Sequence, residues 1–355
     1  LDAVRAAPHD LEARAVLADR LQELGDPHGE FITLQLAELQ GTATAETSKR
    51  ADALLKENLK PWLGPLFPHV YRGRFRGGFL EEIELEGRWK TSEKGWAAIT
   101  EDPRLATVRT IVEGKTTGDV LARFYRSKIM HAIDAVAISS KDIALALRDN
   151  PPPRLRSIEA MEFKRGSYTK QLEEYVVPLL DAIPTVERLG CVPEGIAVLQ
   201  RTRAFGHLKE LRVRSWDGLK GKAAQALLAA LPKSLQVLDL VTDETEDAIA
   251  LVSKLPAHVT TFDFGERARL VRHAKGFKLH IVVRHKTELD ANRHPYGLPV
   301  QLEQIRKKKL ADAIEVRYIT DDYDRTFFAP SKWKGIAIEE RRVFESGLTR
   351  AYKLG

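Results

Sequence analysis

Cysteine is almost absent from this chain. A single thiol, Cys191, in 355 residues excludes an internal disulfide and any cysteine-based metal cluster, and it fits a reducing cytoplasm. No apolar run approaches the ~20 residues that a membrane-spanning helix needs, and no basic-then-apolar signal segment opens the chain. The first residue is Leu1 rather than methionine, which leaves a trimmed leader open. Common enzyme fingerprints are missing as well. There is no Gly-x-x-x-x-Gly-Lys-Ser/Thr phosphate loop, no Gly-x-Ser-x-Gly elbow and no His-Glu-x-x-His. What remains, 43% hydrophobic and 30% charged residues, is the composition of an ordinary globular protein.

The net charge of +6 is unevenly placed. Residues 266–355 hold 20 Lys/Arg against 12 Asp/Glu, a balance of +8, which leaves −2 for residues 1–265. The strongest basic run, Arg306, Lys307, Lys308 and Lys309, lies in this C-terminal part. It suits an anionic partner, but no aromatic residue flanks it within its helix for base stacking.

The N-terminal stretch reads as two helices joined by a very tight turn. Asp10 is a cap candidate for the first helix, with Leu11, Ala15, Ala18 and Val16, Leu17, Leu21, Leu24 at helical spacings. Gly25 suits the residue after a helix end. Asp26 then caps a second helix with Pro27 at its first position, and Phe31, Leu34 and Leu39 fall on one side. Asp26 and Glu30 are thereby explained by helix ends, Glu23 falls on the solvated side, and Asp19 calls for a partner such as Arg14 or Arg20. The motif built from Ala18, Asp19, Leu21, Gly25, Asp26, Pro27, Gly29, Glu30, Phe31, Ile32, Leu34 and Gln35 resembles the short repeat-companion domain at the N-terminus of bacterial leucine-rich-repeat proteins. Arg20 departs from the bulky aromatic that usually follows the Ala-Asp pair. The resemblance implies an architecture and carries no catalytic residue.

A Leu-x-x-Leu-x-Leu pattern can be followed along the chain: Leu80/Ile83/Leu85, Leu105/Val108/Thr110, Ile133/Val136/Ile138, Leu155/Ile158/Ala160, Val186/Leu189/Cys191, Leu208/Leu211/Val213, Leu235/Leu238/Leu240 and Val259/Phe262/Phe264. Successive starts lie 25, 28, 22, 31, 22, 27 and 24 residues apart, close to the period of about 20–29 of such repeats. Helix-like stretches such as "GKAAQALLAAL" fill the gaps. The expected fold is therefore α/β: a leucine-rich-repeat-like solenoid, or horseshoe, with an N-terminal helical hairpin cap and a C-terminal α/β capping region. The expected divisions are 1–65 for the helical domain, 66–285 for the solenoid, and 286–355 for a cap or small α/β subdomain.

On such an array the residues between the apolar positions form a concave face. They include Thr107, Arg109, Ser157, Glu159, Arg188, Glu210, Arg212, Arg214, Asp239, Thr261 and Asp263, with Trp216 at the rim. Arg188, Arg212, Arg214, Trp216, Asp239 and Asp263 are the expected partner-binding residues; the competing explanation is a salt-bridge ladder between neighbouring strands. Other constellations are weaker. "RGRFRGGF" (Arg72 to Phe79) lacks the spacing of a phosphate loop, and Gly77-Gly78 reads as a turn. His273, His280, His285 and His294 with Asp290 are too scattered to force a metal site. Cys191 sits at an apolar position and reads as core. The sequence thus suggests a non-enzymatic scaffold or adaptor for a protein partner, with no cofactor, no metal and no membrane. The alternatives are nucleic-acid or phosphate binding by Arg306, Lys307, Lys308 and Lys309, a structural subunit of a larger assembly, and an enzyme in the C-terminal part using His280, Asp290 or His294.

Overall fold

The computed structural model describes residues 1–85, 92–112, 116–160, 167–215, 219, 221–242, 245–263, 268–274, 276–283, 298–318 and 337–342. The chain forms two compact units that divide between residues 163 and 164.

The first unit opens with helices α1 (Asp2–Ala6), α2 (Leu11–Glu23), α3 (Pro27–Gln40) and α4 (Ala45–Leu63). Asp10 caps α2 by accepting from the backbone N–H groups of Glu12 and Ala13 at 2.9 and 3.1 Å. Asp26 does the same for α3 through His28 N–H at 2.9 Å, with Pro27 in the first turn. The tight turn thus satisfies its own helix ends. The two helices then meet at Gly29, where a Cβ would lie 2.6 Å from both the Ala18 carbonyl oxygen and the Gln22 amide nitrogen, so only glycine permits the approach.

Next come strands β1 (Val70–Arg76) and β2 (Phe79–Leu85), an antiparallel hairpin, and β3 (Thr110–Val112), parallel to β2. The hairpin turn is Gly77-Gly78, both with positive φ (54° and 86°), as a two-residue turn of this type demands. The α2–α3 pair grips this turn. Gln35 Nε2 donates to Phe75 O at 3.2 Å, and Gly78 N–H donates to Gln35 Oε1 at 2.8 Å. Fully buried Arg14 donates to the carbonyls of Pro8, Arg76 and Gly77 and to Glu81 Oε1 at 2.8 Å. Arg14 is therefore committed to Glu81, and Arg20 to Glu23 at 2.7 Å; Asp19 is exposed and takes neither. The buried stripe of α3 is Phe31, Ile32, Gln35 and Leu36, whereas Leu34 and Leu39 are only half-buried. The rest of the unit carries α5 (Glu93–Thr100), α6 (Gly118–Tyr125), β4 (Ala135–Ala137), α7 (Lys141–Asp149) and β5 (Ser157–Glu159), with β4 and β5 parallel.

The second unit begins with α8 (Tyr168–Gln171), which runs through one π turn, Leu172–Val176, into α9 (Val177–Ala182). Pro178 explains the irregularity, since it has no N–H to give and its ring crowds the preceding turn. Then follow β6 (Arg188–Cys191), α10 (Ile196–Leu199), β7 (Glu210–Ser215), α11 (Gly221–Ala230), β8 (Val237–Thr242), α12 (Thr245–Val252), β9 (Thr261–Asp263), β10 (Ala268–His273), β11 (Gly276–Val283), α13 (Leu298–Lys307), β12 (Ala311–Tyr318) and β13 (Ala337–Arg342). These strands lie side by side in sequence order from β6 to β13. Neighbours from β6 to β9 are parallel, β10 is antiparallel to both β9 and β11, and β11 to β13 are parallel again.

This corrects the expected horseshoe solenoid. The chain is a mixed α/β fold with a mostly parallel sheet, in which strand direction reverses at the β1–β2 hairpin and at β10. The linking segments are α, 3-10 and π turns of unequal length rather than one repeated unit. The apolar motif positions are nonetheless core: Leu189, Leu211, Val213, Leu238, Leu240 and Phe262 are all buried, while Phe264 lies outside the described residues. Their periodicity marks strands that bury one face, which a mixed sheet satisfies as well as a repeat array does.

Helix α13 ends in a turn where Lys309 N–H reaches Arg306 O and Leu310 N–H reaches Ile305 O, at 3.1 and 3.2 Å. Lys309 holds the left-handed φ of 52° there, a conformation that β-branched residues resist. Lys309→Val is expected to cost about 1 kcal/mol in urea unfolding, and Lys309→Gly to be tolerated.

Candidate interaction face

In the second unit, the steps β6–β7–β8–β9 each pass through a helix. Right-handed crossovers between sequential parallel neighbours bring α10, α11 and α12 to one face of the sheet. Burial follows this arrangement along β7, where Leu211, Val213 and Ser215 are buried while Glu210, Arg212 and Arg214 are half-buried on the opposite face.

That opposite face carries a row of ionisable side chains set by strand register. Gly190 pairs with Arg212, Arg212 with Asp239, Asp239 with Asp263, Asp263 with Arg269, Arg269 with His280, and His280 with Glu315. Arg212 Nε meets Asp239 at 2.6 Å, and Arg269 binds Asp263 bidentately with both bonds at 2.7 Å. Lys278 Nζ and His280 Nδ1 both reach Glu315, at 2.9 and 3.3 Å.

The two signs sit at different depths. The carboxylates are sunk in the sheet, with side-chain exposures of 1% for Asp239, 7% for Asp263 and 6% for Glu315. Their cations lie above them, at 28% for Arg212, 54% for Arg269 and 34% for Lys278. The outermost charged groups of these pairs are therefore positive. Held by register and by buried acids, they lose little freedom when a partner docks.

Burial pushes the Asp263 carboxyl above the usual carboxylate range, although the Arg269 bonds oppose it. Burial also raises Glu210; Arg188 and Arg212 pull it down, and Asp263 and Asp239 add to the rise. A carboxyl whose folded pKa is raised contributes stability that is complete below its unfolded value and lost as pH rises through the folded one. Glu210→Gln is accordingly expected to raise the melting temperature at neutral pH, with the difference closing as the pH falls below ~4.3; scanning calorimetry across that range checks it.

The sequence-derived residues divide as follows. Arg188, Arg212, Arg214, Asp239 and Asp263 all lie on β6 to β9, in positions facing this row. Trp216 lies outside the described residues, as do His285, Asp290 and His294. His280 belongs to the row, whereas His273 pairs with Asp312 at 2.7 Å. Among the described residues no group of three His, Cys, Asp or Glu could hold a metal ion. Cys191 is fully buried and its thiol is pushed up to about 12 by burial and by Glu194, which suits core rather than nucleophile. In the basic run, Arg306 bonds Glu303 at 2.8 and 2.5 Å, with Lys307 3.9 Å from the same residue. Lys308 and Lys309 are exposed at the helix end, where cations favour the helix dipole.

Arg269, Lys278 and Glu315 were not singled out from the sequence. Their signal was one charged residue among alternating apolar ones in "ARLVRH", "GFKLHIVV" and "ADAIEVRY". Compared with known proteins, the chain matches no protein-family model and no curated protein.

Proposed function

We propose that this is a non-enzymatic binding protein that docks a protein partner on the charged sheet face of its second unit. The observation that carries the reading is the layering of charge, with cations outermost over buried carboxylates. Such a face suits a partner that presents acidic side chains. Because each cation is neutralised from below, its field is short-ranged, which favours a shaped protein surface over a polyanion. The resemblance of the N-terminal motif to a repeat-companion domain belongs to the same reading: Asp26, Gly29 and Gln35 serve shape rather than chemistry. A cytoplasmic site of action is the companion proposal. Among the described residues no helix is long and apolar enough to cross a membrane.

The test is affinity capture from a lysate with elution in rising salt, comparing wild type with Arg188→Gln at a half-exposed position. The reading expects one protein partner, lost or weakened in the variant while its far-UV circular dichroism spectrum stays that of wild type. Nucleic acid in the eluate, unaffected by Arg188→Gln and released along a steep salt dependence, would transfer the function to Lys308 and Lys309.

A further inference from the structure

The charged face of the second unit has an apolar middle. Strand register places Arg188, Glu210, Val237, Thr261, Val271 and Lys278 in one row from β6 to β11. Cations stand at both ends of this row, Arg188 on β6 and Lys278 on β11. The neighbouring row repeats the division, with Arg212 on β7 and Arg269 on β10, each above its own buried acid, Asp239 or Asp263. Glu210 is half-buried beside Arg188 and Arg212 and leaves that end positive, since Arg188, Arg212 and Arg214 stand against Glu210 and Asp239. Between the ends, Val237, Thr261 and Val271 are half-buried, on the side of the sheet opposite α10, α11 and α12. The middle of the face therefore offers β-branched methyl groups, with its only acids sunk and paired.

Neighbouring strands lie about 4.8 Å apart, so the five steps from β6 to β11 span about 24 Å. An α-helix rises about 1.5 Å per residue and covers that distance in about 16 residues, with roughly one turn over each strand. We infer that the face takes one amphipathic helix of the partner, laid across the strands, with acidic side chains in its first and last turns and apolar ones between them. The inference rests on the docking proposed above and adds the form of the docked segment. An extended segment laid there would press its backbone N–H and C=O groups against valine side chains without partners, whereas a helix satisfies its own. Acids in the middle of the helix would meet Val237 and Val271; acids at its ends meet Arg188 and Lys278.

The probe is a helix-stapled, fluorescein-labelled peptide of about 16 residues, with glutamates in both terminal turns and leucines along one stripe between them. Its control has the same composition, with the glutamates in the middle and the leucines at the ends. Fluorescence anisotropy follows the titration of each with the intact chain. The inference expects saturable 1:1 binding of the probe, about tenfold tighter than that of the control. Val237→Thr/Val271→Thr, which keeps β-branched residues in both strands, should erase that preference; should this variant fail to fold, Arg188→Gln and the peptide pair decide. Arg188→Gln should weaken the probe about two- to fivefold. It should have no effect on one of the two probe versions in which glutamine replaces the glutamates of a single end. Equal binding of probe and control, both weakened by Arg188→Gln, would overturn the inference and leave the docking of an acidic partner in place. No saturable binding of either peptide up to millimolar concentration would overturn it as well, and the capture experiment with Arg188→Gln then decides the docking separately.

Discussion

Replacing Arg14 by alanine is expected to cost about 3–5 kcal/mol, a large fraction of the ~5–15 kcal/mol that holds a typical domain together. Arg14 is fully buried, and its guanidinium serves the carbonyls of Pro8, Arg76 and Gly77 together with the Glu81 carboxylate. Alanine removes every one of these donors at once. The carbonyls lose their partners where water cannot replace them, and Glu81, with 10% of its side chain exposed, is left only Arg109 at 3.5 Å. Lysine should fail as well, because a single ammonium cannot span the fork of contacts. The check is chemical denaturation followed by far-UV circular dichroism: a midpoint close to wild type for Arg14→Ala would show that the grip on the Gly77-Gly78 turn is not a source of stability. Retention of stability in Arg14→Lys would show that charge alone suffices.

The second large effect is expected at Arg212. The Asp239 carboxylate is 1% exposed and takes Arg212 Nε at 2.6 Å. Arg212→Ala strips that bond from a charge that has no access to water, at about 3 kcal/mol. The double variant Arg212→Leu/Asp239→Leu should recover most of the loss at neutral pH, since neither charge is then stranded. No rescue in the double variant would mean that Arg212 acts by packing rather than by charge.

Much of the local structure was legible because it depends on neighbours in sequence. Asp10 and Asp26 cap the helices they precede, Gly77-Gly78 turns a hairpin, and alternating apolar residues such as Leu211 and Val213 mark the covered face of a strand. What escaped depends on distant partners. Of the apolar residues at helical spacings around α2, Leu11, Val16 and Leu24 are exposed, and the buried residues of the helix are Arg14 and Ala18. No rule of periodicity anticipates that an arginine will be buried to meet Glu81, 67 positions away. The horseshoe failed for a related reason. Spacings of 22 to 31 residues describe strand–helix–strand steps, but they do not fix strand direction, and β10 pairs antiparallel with β9. Within the candidate site, alternation identified Arg188, Arg212, Arg214, Asp239 and Asp263. The depth of each charge came from register, which pairs Arg269 with Asp263 and His280 with Glu315.

The central claim is that a protein partner covers the charged sheet face of the second unit. Arginine footprinting with phenylglyoxal, on the chain alone and in complex with the captured partner, tests it most directly. Arg188 is half-buried and Arg269 is 54% exposed, so both should react in the free protein. The account predicts strong protection of Arg188 and Arg269 in the complex, with Arg148 and Arg201 unchanged. Unaltered labelling of Arg188 and Arg269 while the partner is bound would contradict it.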